Sequence, residues 1–386
     1  MKKTIYKCVS LLLFCMLLAG CWDRTEINDI AFVVSSAIDK KKDQYRVALQ
    51  IPLVGQLGGQ TGGGGGTAGS KTWYVDSASG TTIKEANNKL QTSLSRTINT
   101  SHRRTVVIGE EMARDGVAPV FDILTRNPQN RLTALILVSR GEARDILNTD
   151  VQLEQFPAEM IRELAIMATN RPVFLSRFMS DLLEKGSDAY APVITASKTK
   201  PGGKGKGKSN LKIDGLAIFK KDKLVDIFKD EHMTAALILL NQARQPEFIL
   251  DLPNQMGKAS IQLQKSNASF HTAEKNGKLS VTIEIRAKGI IMENQSTYET
   301  RENDQFYIIQ KALNRAIKKD MVSTVHRLQK RKADPAGFQD RMIRSMAITK
   351  NMRNKEWDEV YKDMEIHVIP IVTIEQGGVL YKTISH

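Results

Sequence analysis

The residues whose types and spacing could do covalent chemistry are Leu18, Ala19, Gly20 and Cys21. A thiol can carry a diacylglyceryl group as a thioether. The small residues just before it admit a peptidase that cuts between Gly20 and Cys21. This is the pattern of a lipobox. Lys2, Lys3 and Lys7 ahead of it form a positive head, and 9–18 an apolar core, the layout of a secretory signal. That core is about a dozen residues, short of the ~20 that a spanning helix needs. Charged residues interrupt every later apolar run. The expectation is a signal peptide over 1–20, lipid attachment at Cys21, and a chain anchored to a membrane rather than crossing it. At about 0.8 kcal/mol per buried methylene, two or three acyl chains hold such a protein almost irreversibly.

Composition agrees with export. Of three cysteines, Cys8 and Cys15 leave with the signal and Cys21 carries lipid, so no thiol remains for a disulfide. A chain of 386 residues is long enough to bury its core without one, and suggests two or three domains. The formal charge is +14, of which Lys2, Lys3 and Lys7 belong to the signal. The basic residues concentrate at 198–212 and 311–332. They suit a solvated surface or anionic lipid headgroups. Export and the lack of interleaved aromatics argue against nucleic acid.

None of the six histidines stands four residues from another, as a helical zinc pair would. There is no G-x-S-x-G elbow and no paired-carboxylate motif. Gly65 to Thr72 resembles a phosphate loop only at Lys71-Thr72: Ser70 replaces the required glycine, and Trp73-Tyr74-Val75 reads as a strand rather than a helix. His102-Arg103-Arg104 could suggest an anion site, but a surface lead-in to the strand at 105–108 is the preferred reading. No catalytic, cofactor-binding or metal residue is assigned.

The elements around these residues alternate. Strands are expected at 32–39, 45–54, 105–108 and 133–138. A helix opens at the capping box Thr82-Ile83-Lys84-Glu85 and runs to about 96, with Ala86, Leu90 and Leu94 on one face. Further helices fall at 117–126, 156–168 and 172–184. Glycine dominates 55–70, a flexible loop, and the Lys/Gly-rich 198–210 reads as a mobile linker. Beyond it lie a hairpin through Lys220-Lys221-Asp222, a helix at 230–241, and two strands joined at Asn276-Gly277. A long helix over 303–331 carries Phe306, Ile309, Leu313, Ile317, Met321, Val325 and Leu328 on one stripe, and 366–374 is a last strand.

The segment Cys21-Trp22-Asp23-Arg24-Thr25-Glu26-Ile27-Asn28-Asp29 resembles the mature N-terminus of the spore germination receptor C-subunit family, the Ger(x)C lipoproteins. SHRRTVVIGEEMARDG, NPQNRLTALILVSRGEARDIL and DGLAIFKKDKLVDIF resemble the family further on. Ser35 and Ser36 stand where it more often has glycine. Asp334-Pro335-Ala336-Gly337-Phe338 is a degraded form of a family turn, and no residue role carries over to it. The resemblance implies a non-enzymatic, lipid-anchored subunit of a nutrient germinant receptor. Its site would be the outer face of the inner spore membrane, its partners a multi-span A subunit and a transporter-like B subunit. It transfers no nutrient-contacting residue. The alternatives are an extracytoplasmic solute-binding lipoprotein, which would show two similar lobes around a cleft, and an envelope hydrolase.

The expected fold class is α+β, a mixed sheet-and-helix ectodomain. Its expected parts are an N-terminal α/β domain over 21–197, the linker at 198–210, and a C-terminal α+β domain over 211–386, possibly divided near 256.

Overall fold

A computed structural model describes residues 5–7, 26–53, 71–184, 186–200, 207–253, 257–275, 278–295, 303–345 and 356–375. Leu18, Ala19, Gly20 and Cys21 lie outside them, as do the whole glycine tract at 55–70 and the Asn276-Gly277 turn.

Eight strands make the larger sheet: β2 (Ser35–Lys41), β3 (Gln44–Pro52), β4 (Trp73–Gly80), β6 (Thr105–Gly109), β7 (Leu135–Ser139), β8 (Tyr190–Lys198), β9 (Ser209–Lys220) and β10 (Lys223–Phe228). Their order is β10-β9-β8-β7-β6-β2-β3-β4. The central run β2, β6, β7 and β8 is parallel, and both flanks are antiparallel. β6 and β7 are buried along their whole length, as strands covered on both faces must be. Val106 and Ile108 face one core, packed by α1 (Ile83–Ser93), α2 (Glu110–Asp115), α3 (Ala118–Arg126) and α6 (Leu175–Leu183). Val107 faces the opposite core, packed by α4 (Ala143–Leu147) and α5 (Pro157–Ala168). The Thr105–Val138 strand, helix, strand pattern is therefore one parallel α/β layer.

The capping box forms: the Glu85 amide donates to Thr82 Oγ1 at 3.1 Å, while the Glu85 carboxylate accepts from the Thr81 amide. Ala86 and Leu90 are buried beneath it.

Two connections differ from expectation. The first strand is broken at Val33-Val34. β1 (Ile30–Phe32) pairs in parallel with β5 (Thr97–Asn99), and β2 then enters the large sheet. The break arises because Val33 donates to Asn99 but Val34 donates to Gln50, so the chain changes partners within two residues. The Lys/Gly-rich segment joins neighbouring strands of one sheet, since Lys198 and Ser209 are register partners. Composition marks a segment unable to bury apolar area; it does not mark the edge of a folded body. The hydrogen-bonded ladder reaches Thr199 and Lys208 at its two ends.

The second sheet has the order β11-β12-β13-β14, from Glu247–Asp251, Lys258–Lys275, Lys278–Asn294 and Glu365–Glu375. Lys275 pairs with Lys278, the register a two-residue hairpin loop imposes. Val281, Ile283 and Ile285 point into the core, and all three are fully buried. The last strand of this sheet, β14, runs parallel to β13. Its connection is not a hairpin but the crossover helix α8 (Asn303–Lys330), which a parallel pair requires. Ile309, Leu313, Ile317, Met321, Val325 and Leu328 of α8 are buried in one core with this sheet and with α7 (Asp230–Leu239). The short helices α9 (Phe338–Arg344) and α10 (Trp357–Lys362) close one end. The fold is mixed α+β, as expected.

Candidate functional site

The lipobox lies outside the described residues, so the site that can be built from contacts is the seam between the two sheets. Its centre is the Asp334–Phe338 turn. Asp334 accepts from the amides of Phe338 and Gln339, each at 3.0 Å, and so holds the first turn of α9. Gly337 sits at φ +67°, a conformation costly for a residue with a Cβ. Phe338 is then fully buried, edge-on to Phe270 with centroids 5.4 Å apart.

The same turn grips the first half of the chain. The Asp334 amide donates to Asp188 Oδ2 at 2.7 Å, and the Asp188 amide donates back to the Asp334 carbonyl at 3.1 Å. Lys220 of β9 reaches Asp188 at 3.3 Å and Asp358 of α10 at 2.8 Å. Burial pushes the Asp334 carboxyl up to about 7, against its two amide hydrogen bonds and with the neighbouring Asp188 charge adding to the rise. The family-like turn is thus a structural clasp. Its acid is set chiefly by desolvation.

A second tie lies along β10. Asp226 is 7% exposed and accepts from Arg327 of α8 at 2.9 and 2.7 Å and from Arg331, just past the end of α8, at 3.0 Å. Burial alone would raise its carboxyl; the arginine hydrogen bonds outweigh this and hold it below the usual carboxylate range. The Arg327 guanidinium also lies 4.8 Å from the Phe228 ring centroid. His232 Nδ1 and Thr324 Oγ1 meet at 2.9 Å beside it.

Beside the Asp334–Phe338 turn opens a cleft of about 780 Å³, lined by Arg177, Asp181 and Tyr190 from the first half of the chain and by Ser266, Arg341 and Arg344 from the second. Arg177 donates to Asp181 Oδ2 at 3.0 Å, and Asp181 Oδ1 is buried without a partner. Burial and the Asp181 charge push the Tyr190 hydroxyl up to about 12. The arrangement offers hydrogen bonds and balanced charge, the properties of a recognition surface. Among the described residues, no group of three or more His, Cys, Asp or Glu could hold a metal ion. No helix among them is long and apolar enough to cross a membrane.

Asp188 and Asp226 escaped the sequence reading. The signal for Asp226 was present in KLVDIF, an acid inside an apolar strand, and in Arg327 and Arg331, one helical turn apart. Their separation by about a hundred positions hides the pairing. His102 is exposed at the strand lead-in, as expected, and packs edge-on to Phe32 at 5.1 Å. Arg103 beside it is buried, which the surface reading did not anticipate.

Comparison with known proteins places this architecture. The family described as spore germination protein N-terminal domain matches residues 23–196, and the family described as spore germination B3/GerAC like, C-terminal, matches residues 214–378. The protein YfkR of Bacillus subtilis (strain 168) is 90% identical over 386 residues, covering all of both chains. Spore germination protein KC of the same organism is 27% identical over 98% of this chain and 97% of its own. The crystal structure of the GerBC protein superposes with a TM-score of 0.56 at 18% identity, over 88% of this chain and 96% of that one, and so shares the fold. With both halves matched and relatives covered end to end, the chain belongs to the spore germination protein family of the GerAC type.

Proposed function

We propose that the protein is the lipid-anchored C subunit of a nutrient germinant receptor. Cys21 carries the lipid after cleavage at Gly20, the folded part sits on the outer face of the inner spore membrane, and it assembles there with a multi-span A subunit and a transporter-like B subunit. Full-length similarity to named spore germination proteins carries this reading, joined to the lipobox at the N-terminal end of the matched region. The clasped seam supports it physically. Asp188, Asp226 and Asp334 tie the two sheets together, an arrangement suited to docking partners. The role is assembly, without a catalytic step. Anchoring raises the effective concentration of that surface at the membrane.

The test is co-purification from spore inner membranes, with nutrient-triggered germination scored in parallel for wild type and Cys21→Ala. Recovery of two multi-span partners with wild type, and loss of membrane retention and germination in the variant, is expected. Normal germination without the protein and an absence of such partners would overturn the assignment in favour of solute binding.

A further inference from the structure

A second cavity, of about 580 Å³, opens beside the amino ends of β6 and β7. Its wall carries His102, Arg103, Arg104, Arg131 and Arg162. Two of these arginines are already neutralised: Arg104 and Arg162 both pair with Glu159, and Arg162 also with Glu163. Arg103 and Arg131 have no ion-pair partner among the described residues.

Arg103 is the unusual member. It is 8% exposed, and its only side-chain partners among the described residues are the neutral Ser36 Oγ at 3.3 Å and Asn130 Oδ1 at 2.7 Å. Its Nε is buried with no partner at all. Burial without a counter-charge lowers its pKa to about 10. A guanidinium removed from water is costly unless an anion or a full set of acceptors compensates, and here neither is present. Exposed Arg131 stands on the same wall with its charge unspent. The remaining lining is Ser101, Thr133 and the apolar Leu135, Ile166, Pro172 and Phe174, the last 39% exposed. The cavity has the size of a small-molecule site.

We infer that this pocket binds an oxyanion, a phosphate or carboxylate, carried on a compact apolar body. The arginine forks of Arg103 and Arg131 take the anionic head, since guanidinium matches both groups in planar, paired hydrogen bonds. Phe174 and Ile166 cover the apolar part. Serine at position 36 completes the site by holding Arg103 without neutralising it; a carboxylate there would cancel the charge. The inference is independent of receptor assembly, because it concerns a pocket wholly within the larger sheet and its helices.

The experiment is calorimetric titration of the full chain, purified in detergent, with four probes: inorganic phosphate, phenyl phosphate, 3-phenylpropionate and dihexanoyl phosphatidylglycerol. Expected is one saturable site for phenyl phosphate and phenylpropionate, weaker binding of inorganic phosphate, and mutual competition. Arg131→Ala, exposed and free of structural contacts, weakens both phenyl ligands about tenfold, or ~1.4 kcal/mol. Phe174→Ala weakens the phenyl ligands and leaves inorganic phosphate unchanged. Arg103→Lys keeps the charge and loses the fork, and lowers affinity while circular dichroism stays that of wild type. Binding of the phosphatidylglycerol alone, lost in Arg131→Ala, sustains the site and names a lipid headgroup as its source. Absence of binding by every probe at about 10 mM, or equal affinities in wild type and Arg131→Ala, overturns the proposal.

Discussion

Replacing Asp334 by Asn separates its charge from its shape. The wild-type carboxyl is buried and titrates near 7, against an ordinary value of 3.8. Between those values the unfolded chain releases its proton while the folded chain keeps it, so the native state binds more protons. Stability from this group is therefore highest below 3.8 and declines as pH rises toward 7. A rise of about three pH units, at ~1.4 kcal/mol per unit, corresponds to roughly 4 kcal/mol across the window. Asparagine does not titrate, but its amide nitrogen faces one of the two backbone donors, Phe338 or Gln339, and forfeits that bond at about 1–3 kcal/mol. The variant is accordingly less stable than wild type near pH 4 and equal or more stable near pH 8. Urea unfolding of both proteins at half-unit pH steps gives the two profiles. Parallel curves over the whole range would refute the argument that desolvation governs this acid.

Other perturbations follow from the same contacts. Asp226→Ala strands Arg327 and Arg331; because those side chains are 36% and 49% exposed, the loss is about 2 kcal/mol rather than the ~3–5 of a fully buried pair, read from the urea midpoint. Asp226 also contributes stability above the unfolded carboxylate value and loses it as pH falls through its lowered native one, so Asp226→Ala is less sensitive to acid than wild type. Gly109→Ala drives a Cβ to 2.1 Å from Asp39 Oδ1, which accepts from the Ala143 amide at 2.7 Å. Displacing it uncaps α4 and costs about 2 kcal/mol or more, visible as faster amide exchange at 143–144. Thr82→Ala removes the acceptor for the Glu85 amide and lowers stability by about 1 kcal/mol in thermal unfolding.

Periodic features were legible in the sequence because they depend on nearest neighbours along one element. The buried stripe of α8, the alternation Val281, Ile283, Ile285, and the Thr82 cap all stand where spacing put them. What stayed hidden depends on distant partners. The break at Val33-Val34 is decided by Asn99 and Gln50, and the parallel setting of β14 by the route of α8. The clasp joins Asp188 to Asp334 across 146 positions, a pairing no window of local pattern contains. Arg103 was misjudged for the same reason: its run of basic residues reads as surface, and only the fold brings Ser36 and Asn130 over it.

The placement of β9 and β10 bears on how the chain is made. They follow the Lys/Gly-rich segment, yet they complete the larger sheet. As the polypeptide emerges from its N-terminal end, β8 is finished about twenty residues before β9, the strand that covers its outer edge, a delay of about 1–4 seconds at the usual ~5–20 residues per second. During that interval β8 presents an unpaired edge, the kind of surface on which neighbouring nascent chains stick together. The lysines of 198–212 are synthesised inside that interval, immediately after the open strand, and their like charge keeps one unfinished chain from another. Cutting the gene between the two matched regions would make that transient condition permanent.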